Sequence, residues 1–356
     1  MGSLQTRTLG KSGVKVSAIG LGTVPLAGFG VGVEYDQFEK TAWSAYEQGI
    51  RHFDSAPMYG LGKAEHFLGH FLRTRNIRSE VVVSTKVGRL LTPVSRAKKG
   101  DVIFGINWVD SLPFVEEFDY SYDGIMRSFE DSQQRLGLDF IDILLVHDIG
   151  RLAHGDNNEI YWKQLVNGGF KALDELRRNG NTRAIGIGVN ETDAVLEMSD
   201  EFDLDCCLLA GRYTLLNHEP LQYFFPACLR RNVSVIGAGV FNSGILAAGS
   251  RAAAKTYDYQ AAPADVIAKV KAIEDVCEKY HVALPQAAVR FVHAHPAVSS
   301  LVLGAKDTNE VSQNVAAITA SIPNEFWDEL KERRIIPAEV PTPSVDGAKT
   351  AAPQSA

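Results

Sequence analysis

The chain has 356 residues, and its 36 Lys and Arg against 43 Asp and Glu give a formal net charge of −7. That acidic balance, with no long run of one sign, excludes nucleic acid and an anionic membrane as main partners. Hydrophobic residues make up 45% and charged residues 22%, enough for one large α/β core or two smaller ones. The four cysteines, Cys206, Cys207, Cys228 and Cys277, show no C-x-x-C spacing. A disulfide framework or zinc ribbon is therefore not expected, and a reducing cytoplasm fits. The opening "MGSLQTRTLGKSGVKVS" lacks an apolar core of signal-peptide length, and no stretch reaches membrane-spanning length. The expectation is a soluble cytoplasmic enzyme or binding domain.

In chain order, short apolar runs predict strands at 16–23, 52–56, 81–87, 141–147, 183–189, 206–211, 233–239 and 299–305. Amphipathic stretches between them predict helices, among them "DQFEKTAWSAYEQG", "KAEHFLGHFLR", "DGIMRSFEDSQQRLG" and "FKALDELRRNG". Later helices are predicted over 218–231, 263–280 and 307–319. Gly49, Gly137 and Gly180 sit where a helix C-cap favours glycine. Eight strand–helix units in alternation predict a parallel sheet closed into a (β/α)8 TIM barrel. An open doubly wound sheet is the rival. Its glycine fingerprint should follow the first strand, but "GLGTVP" (20–25) lacks the third glycine and opens onto a loop.

Two insertions leave C-terminal strand ends: residues 88–121 after the third strand and 242–262 after the seventh. A barrel carries its active site on that rim, and loops this long are usually functional. One barrel domain is expected over 1–337. The Pro-, Ala- and Ser-rich residues 338–356 read as a disordered tail.

Four polar side chains end apolar runs or follow them on this rim: Asp54 and Tyr59 from the second unit, Lys86 from the third and His147 from the fourth. Singly, each could be a satisfied structural residue. Four on adjacent strand ends are a candidate site. The motifs "RHFDSAPMYG", "VVVSTKVG", "IDILLVHD" and "AIGIGVN" resemble, in order, those around the Asp, Tyr, Lys and His tetrad of the aldo-keto reductases. The resemblance runs from about the first strand to "IPNEFWDELK".

It implies a nicotinamide cofactor and a Tyr acid/base. A free Tyr has a pKa of about 10, too high for a good proton acceptor at neutral pH. Lys86 would lower it, Asp54 would keep Lys86 charged and placed, and His147 would donate a hydrogen bond to the substrate oxygen.

By the same resemblance, Gly22, Thr23 and Asp54 lie at the cofactor, with Asn190 on the carboxamide and Tyr213 stacked on the nicotinamide. Ala210 stands where many relatives carry Gln. Gly239, Phe241, Asn242, Ser243 and Gly244 would approach the pyrophosphate. Gly304, Ala305 and Lys306 lead into the last helix, with Gln313 and Asn314 on the adenine. Lys306 could pair with a 2′-phosphate, but Glu310 one helical turn on would repel it, so NAD is favoured and NADP possible.

His66 and His70 stand at i, i+4 without a third ligand, so no metal site is expected. "HAHP" with His293 and His295 reads as a helix-to-strand turn. Neighbouring Cys206 and Cys207 should face opposite sides of their strand. "GFGVGV" (28–33) reads as a flap beside the pocket, and Trp108 as a residue that could stack on a ring substrate.

"FDYSYDGIMRSFEDSQQRLGLDFIDILLVHDIG", "AGRYTLL" and "FNSGIL" resemble the family's branch of D-threo-aldose (L-fucose or galactose) 1-dehydrogenases and pyridoxal 4-dehydrogenases. The resemblance implies oxidation of an aldose hemiacetal to a lactone, with pyridoxal as the alternative substrate. A non-catalytic nucleotide-binding subunit and a phosphate-binding barrel isomerase or aldolase are the competing readings. Lacking an exposed apolar helix, the chain reads as a monomer or weak homodimer.

Overall fold

The computed structural model describes residues 4–96 and 107–344. Eight strands close a parallel barrel in chain order: β1 (Ile19–Gly22), β2 (His52–Asp54), β3 (Val82–Val87), β4 (Ile141–His147), β5 (Thr182–Val189), β6 (Cys206–Ala210), β7 (Ser234–Ala238) and β8 (Val298–Gly304). β8 pairs with β1 through Leu301–Ile19 and Gly304–Gly22, which completes the ring. All seven residues of β4 are buried. A parallel strand covered on both faces must read as an almost continuous apolar run, and "IDILLVH" does.

The helices form the outer layer: α1 (Tyr35–Glu47), α2 (Lys63–Arg75), α3 (Tyr122–Leu136), α4 (Phe170–Arg178), α5 (Thr192–Glu201), α6 (Phe224–Arg231), α7 (Ala264–Tyr280), α8 (Leu284–Ala294), α9 (Thr308–Thr319) and α10 (Asn324–Glu332). In α3, Ser121 caps the N-terminus by accepting from the Gly124 amide, and Gly137 ends the helix in the left-handed region at φ 62°. Ile125, Phe129 and Leu136 recur at helical spacing on its buried face. These signals are local, so the sequence carried them openly.

Two departures from the sequence reading have a physical cause. Residues 16–23 are not one strand. Lys15–Ser17 pairs antiparallel with Thr6–Thr8, and only Ile19–Gly22 enters the barrel. Leu9, Val14 and Val16 from this hairpin are buried in one cluster with barrel residues Val82, Ile143, Leu145 and Cys206. The hairpin supplies the apolar groups that close that end of the barrel. Cys207, one residue on, belongs instead to the cluster between barrel and helices, so the two neighbours do face opposite ways. The predicted unit after the seventh strand contains α8 as well as α7, separated by only a few residues.

Both insertions carry short hairpins. Arg89–Pro93 pairs with Phe114–Phe118 after β3, and Thr256–Tyr257 pairs with Gln260–Ala261 after β7. At the C-terminal end Val340 is buried against the core. Residues 345–356 of the expected tail lie outside the described residues, as do 97–106 of the first insertion. Among the described residues, no helix is long and apolar enough to cross a membrane.

Candidate active site

The ends of β2, β3 and β4 bring Asp54, Lys86 and His147 together, and the turn after β2 adds Tyr59. Lys86 Nζ donates to Asp54 Oδ2 at 2.9 Å and to the Ser55 carbonyl at 2.8 Å, with its side chain 1% exposed. Asp54 Oδ1 accepts from Ser84 Oγ at 2.7 Å, and Ser84 Oγ lies 2.9 Å from His52 Nε2. Thr23 fixes the Asp54 carbonyl through its amide and its hydroxyl, both at 3.0 Å. The carboxylate is thus held at both oxygens before any substrate arrives.

Burial works against the Lys86 charge, but Asp54 and Tyr59 outweigh it, and the ammonium is held above its ordinary range. Lys86 Nζ stands 4.7 Å from the centre of the Tyr59 ring. Burial pushes the Tyr59 phenol up, while the Lys86 charge pulls it down. The net direction is upward. The expected lowering by Lys86 is present, but it only partly offsets the cost of desolvating a phenolate.

The His147 ring meets that of Tyr59 edge-on, with centroids 6.2 Å apart. Burial, and then the charges of Arg89 and Lys86, hold His147 well below its ordinary pKa, so the imidazole is neutral. A neutral imidazole can offer one N–H without competing for the proton that Tyr59 handles.

A second layer stands behind His147. Arg89, almost fully buried, pairs with Glu116 at 2.7 Å across the hairpin and with Asp148. Burial raises both carboxyl groups and Arg89 pulls them back. Tyr120 donates from its hydroxyl to the His147 carbonyl at 2.6 Å and lies 3.0 Å from His154 Nε2. None of Ser84, Arg89, Glu116, Tyr120 and Asp148 was singled out from the sequence. Arg89 and Asp148 do follow Lys86 and His147 closely in the chain, which was the one available signal. Glu116 arrives only by the pairing of a hairpin.

Trp108 has two aromatic neighbours, with ring centroids 5.9 Å from Phe29 and 6.3 Å from Tyr59. Its segment pairs with the "GFGVGV" loop, where Val109 N donates to the Gly28 carbonyl at 2.7 Å and Gly30 N to the Asn107 carbonyl at 3.0 Å. The loop expected to be a flap is thereby tied to the first insertion, beside Tyr59.

The residues assigned to a dinucleotide lie at strand ends, in the loops that follow them and, for Gln313 and Asn314, on α9, with unequal suitability. Gly22 and Gly304 are register partners on β1 and β8. After β7 the loop winds through left-handed residues Gly239, Asn242, Ser243 and Gly244. Two of these are not glycine, and such strain accumulates at ligand sites. Asn242 is buried with Oδ1 lacking a partner, a polar atom that a bound group could satisfy. Ser243 already serves the second insertion, its carbonyl accepting from Thr256 and its Oγ from the Tyr259 amide. Phe241 packs half-buried against the core. The Asn190 carbonyl accepts from Arg212 Nε at 2.6 Å at the end of β5.

Tyr213 stands apart. Its ring is buried beside Phe225, Phe291 and His295, which meet it edge-on or tilted. Beyond β8, Ala305 is buried, Asn314 Nδ2 donates to the Gly304 carbonyl at 3.1 Å, and Gln313 is exposed. Glu310 takes both the Lys306 ammonium, at 2.9 Å, and the Lys306 amide, at 2.9 Å. No group of three or more His, Cys, Asp or Glu able to hold a metal ion occurs among the described residues.

The class of protein to which this barrel belongs is given by the sequence comparisons. Residues 18–335 match the aldo/keto reductase family profile, and the chain belongs to that family. It is 46% identical over 340 residues to a pyridoxal 4-dehydrogenase of Microbacterium luteolum, covering 93% of this chain and 98% of that protein. It is 35% identical over 326 residues to a D-threo-aldose 1-dehydrogenase of a Pseudomonas species, covering 92% and 96%. Among solved structures, an aldo-keto reductase from Bacillus halodurans in its holo form superposes with a TM-score of 0.72 at 23% identity, over 95% of this chain and 98% of that one. This last likeness concerns the fold.

Proposed function

We propose that the protein oxidises the cyclic hemiacetal of a small ring substrate to its lactone, with Tyr59 as the acid/base and NAD as the cofactor. The observation that carries this reading is the Lys86 ammonium, held between Asp54 and the Ser55 carbonyl and directed at the Tyr59 ring. The nicotinamide, when bound along the glycine-bearing strand ends and the 239–244 loop, supplies the hydride acceptor.

The chain's own residues do the rest. His147, neutral, donates to the anomeric oxygen and fixes which hydrogen faces the cofactor. Tyr59 takes the hydroxyl proton, and Lys86 stabilises the phenolate that this needs. Asp54, locked by Ser84 and Thr23, keeps Lys86 charged. Phe29 and Trp108 wall the site beside Tyr59 and limit water there.

Two substrates fit this chemistry. The pyridoxal hemiacetal is favoured by the 46% likeness and by the aromatic rings of Trp108 and Phe29 beside Tyr59. An aldose of the L-fucose or D-threo type is favoured by the 35% likeness. Glu310 supports NAD over NADP, because its carboxylate already holds the two Lys306 donors that a 2′-phosphate would use. The test is product analysis by NMR after incubation with NAD⁺ and pyridoxal, L-fucose or L-galactose. A lactone in step with reduced nicotinamide supports the reading. Failure of the whole panel to reduce NAD⁺ overturns it.

A further inference from the structure

The residue after His147 is in an unusual state for a strand end. Asp148 has φ 48°, a left-handed conformation uncommon outside glycine, and its amide donates to the Gly188 carbonyl at 2.9 Å. The backbone is therefore turned sharply just beyond the barrel, and such strain persists only where the surroundings impose it. The turn leaves the Asp148 side chain 22% exposed, whereas its partner Arg89 and that residue's other partner, Glu116, are 1% and 0% exposed. Asp148 Oδ2 lies 3.6 Å from His147 Nε2, so one carboxylate faces both the buried guanidinium and the imidazole of the site. A network that only balanced a buried charge would not need one member left accessible beside His147.

We infer that Asp148 is a substrate-binding residue, accepting a hydrogen bond from a second hydroxyl one or two carbons from the reacting hemiacetal carbon, with Arg89 holding its carboxylate in place. The inference rests on the lactol reading above and deepens it. His147 and Asp148 then grip two neighbouring oxygens, one the reacting oxygen and the other a recognition handle. Both proposed substrates carry such a hydroxyl: position 2 of an aldose, and the ring hydroxyl beside the formyl-bearing carbon of pyridoxal.

The experiment compares each substrate with its analogue lacking that hydroxyl: L-fucose against 2-deoxy-L-fucose, and pyridoxal against 3-deoxypyridoxal. Each pair is measured with the unmodified protein, Asp148→Asn and Glu116→Gln. The unmodified protein should prefer the hydroxylated member of the pair it turns over by about 10- to 100-fold in kcat/KM, the range for a hydrogen bond to a charged group. Asp148→Asn, which keeps a neutral acceptor but loses the charge, should raise KM for that member and cut the preference to a few-fold at most, with cofactor binding by fluorescence unchanged. The aldose and pyridoxal arms identify which hydroxyl is read.

Glu116→Gln removes a partner of Arg89 away from the mouth. It should lower the melting temperature while keeping the preference, which separates recognition from mere support. Should Asp148→Asn not fold, Asp148→Ser is the second variant, with the same expected loss. Persistence of the preference in a folded Asp148 variant overturns the inference and leaves the lactol reading standing. Absence of turnover and of fluorescence-detected binding for every substrate with the unmodified protein overturns both.

Discussion

Replacing Lys86 by Met tests the proposed proton chemistry at its source. The ammonium lies 4.7 Å from the centre of the Tyr59 ring. A unit charge at that distance interacts with a phenolate by about 1 kcal/mol in a water-like medium and about 3.5 kcal/mol at an effective dielectric constant near 20. Tyr59 is half-buried, between these limits. At a fixed pH below the alkaline limb, losing the charge should slow proton abstraction by about 5- to 300-fold and move the limb to higher pH.

Removing Lys86 alone leaves the Asp54 carboxylate buried with Ser84 as its remaining side-chain partner, which costs about 3–5 kcal/mol of stability. The cleaner variant is Lys86→Met combined with Asp54→Asn. The assay is single-turnover hydride transfer from neutral to strongly alkaline pH, with a deuterated substrate to show that chemistry limits the rate. An alkaline limb at the same pH in the variant and the unmodified protein would refute the coupling of Lys86 to Tyr59.

Other outcomes follow from the packing and the charges. Burial holds His52 and His295 down to about 4 and His293 to about 3, below the ordinary 6.5. The folded state thus binds fewer protons in that window, and stability present above pH 6.5 is lost as pH falls toward 4, by up to about 3 kcal/mol for each group. A melting temperature flat across this window would contradict it. Gly88 has φ 98°, and a Cβ there would sit 2.3 Å from the Tyr120 ring. Gly88→Ala should therefore cost at least about 2 kcal/mol in chemical denaturation, and an unchanged midpoint would show that the ring can retreat. Glu310→Gln should tighten binding of 2′-phospho-AMP several-fold relative to AMP in a fluorescence titration; equal affinities before and after would remove Glu310 from cofactor choice.

What could be read from the sequence was what the chain encodes locally. The β4 run announces a strand buried on both faces, and His147 stands out because it ends that run. Asp54 and Lys86 stood out in the same way. The supports of the site are long-range. Arg89 meets Glu116 only because Arg89–Pro93 pairs with Phe114–Phe118, and Asp148 comes beside His147 Nε2 where the backbone turns left-handed after β4. Neither turn nor pairing has a periodic signature. The N-terminal hairpin was missed because Leu9, Val14 and Val16 gain their role only from the barrel interior they close. Tyr213 shows the same limit: a motif position supplied the residue type, while the rings packed beside it, Phe225 and Phe291, come from distant segments.

The central claim is that Tyr59 moves the proton. Its most direct test is Tyr59→Phe, assayed for lactone formation with NAD⁺ and whichever of pyridoxal, L-fucose, D-arabinose and L-galactose the unmodified protein oxidises. Cofactor affinity would be measured by fluorescence in parallel. The account predicts turnover reduced by at least about 100-fold with cofactor affinity unchanged. Turnover within a few-fold of the unmodified protein would contradict it and move the proton acceptor elsewhere in the mouth.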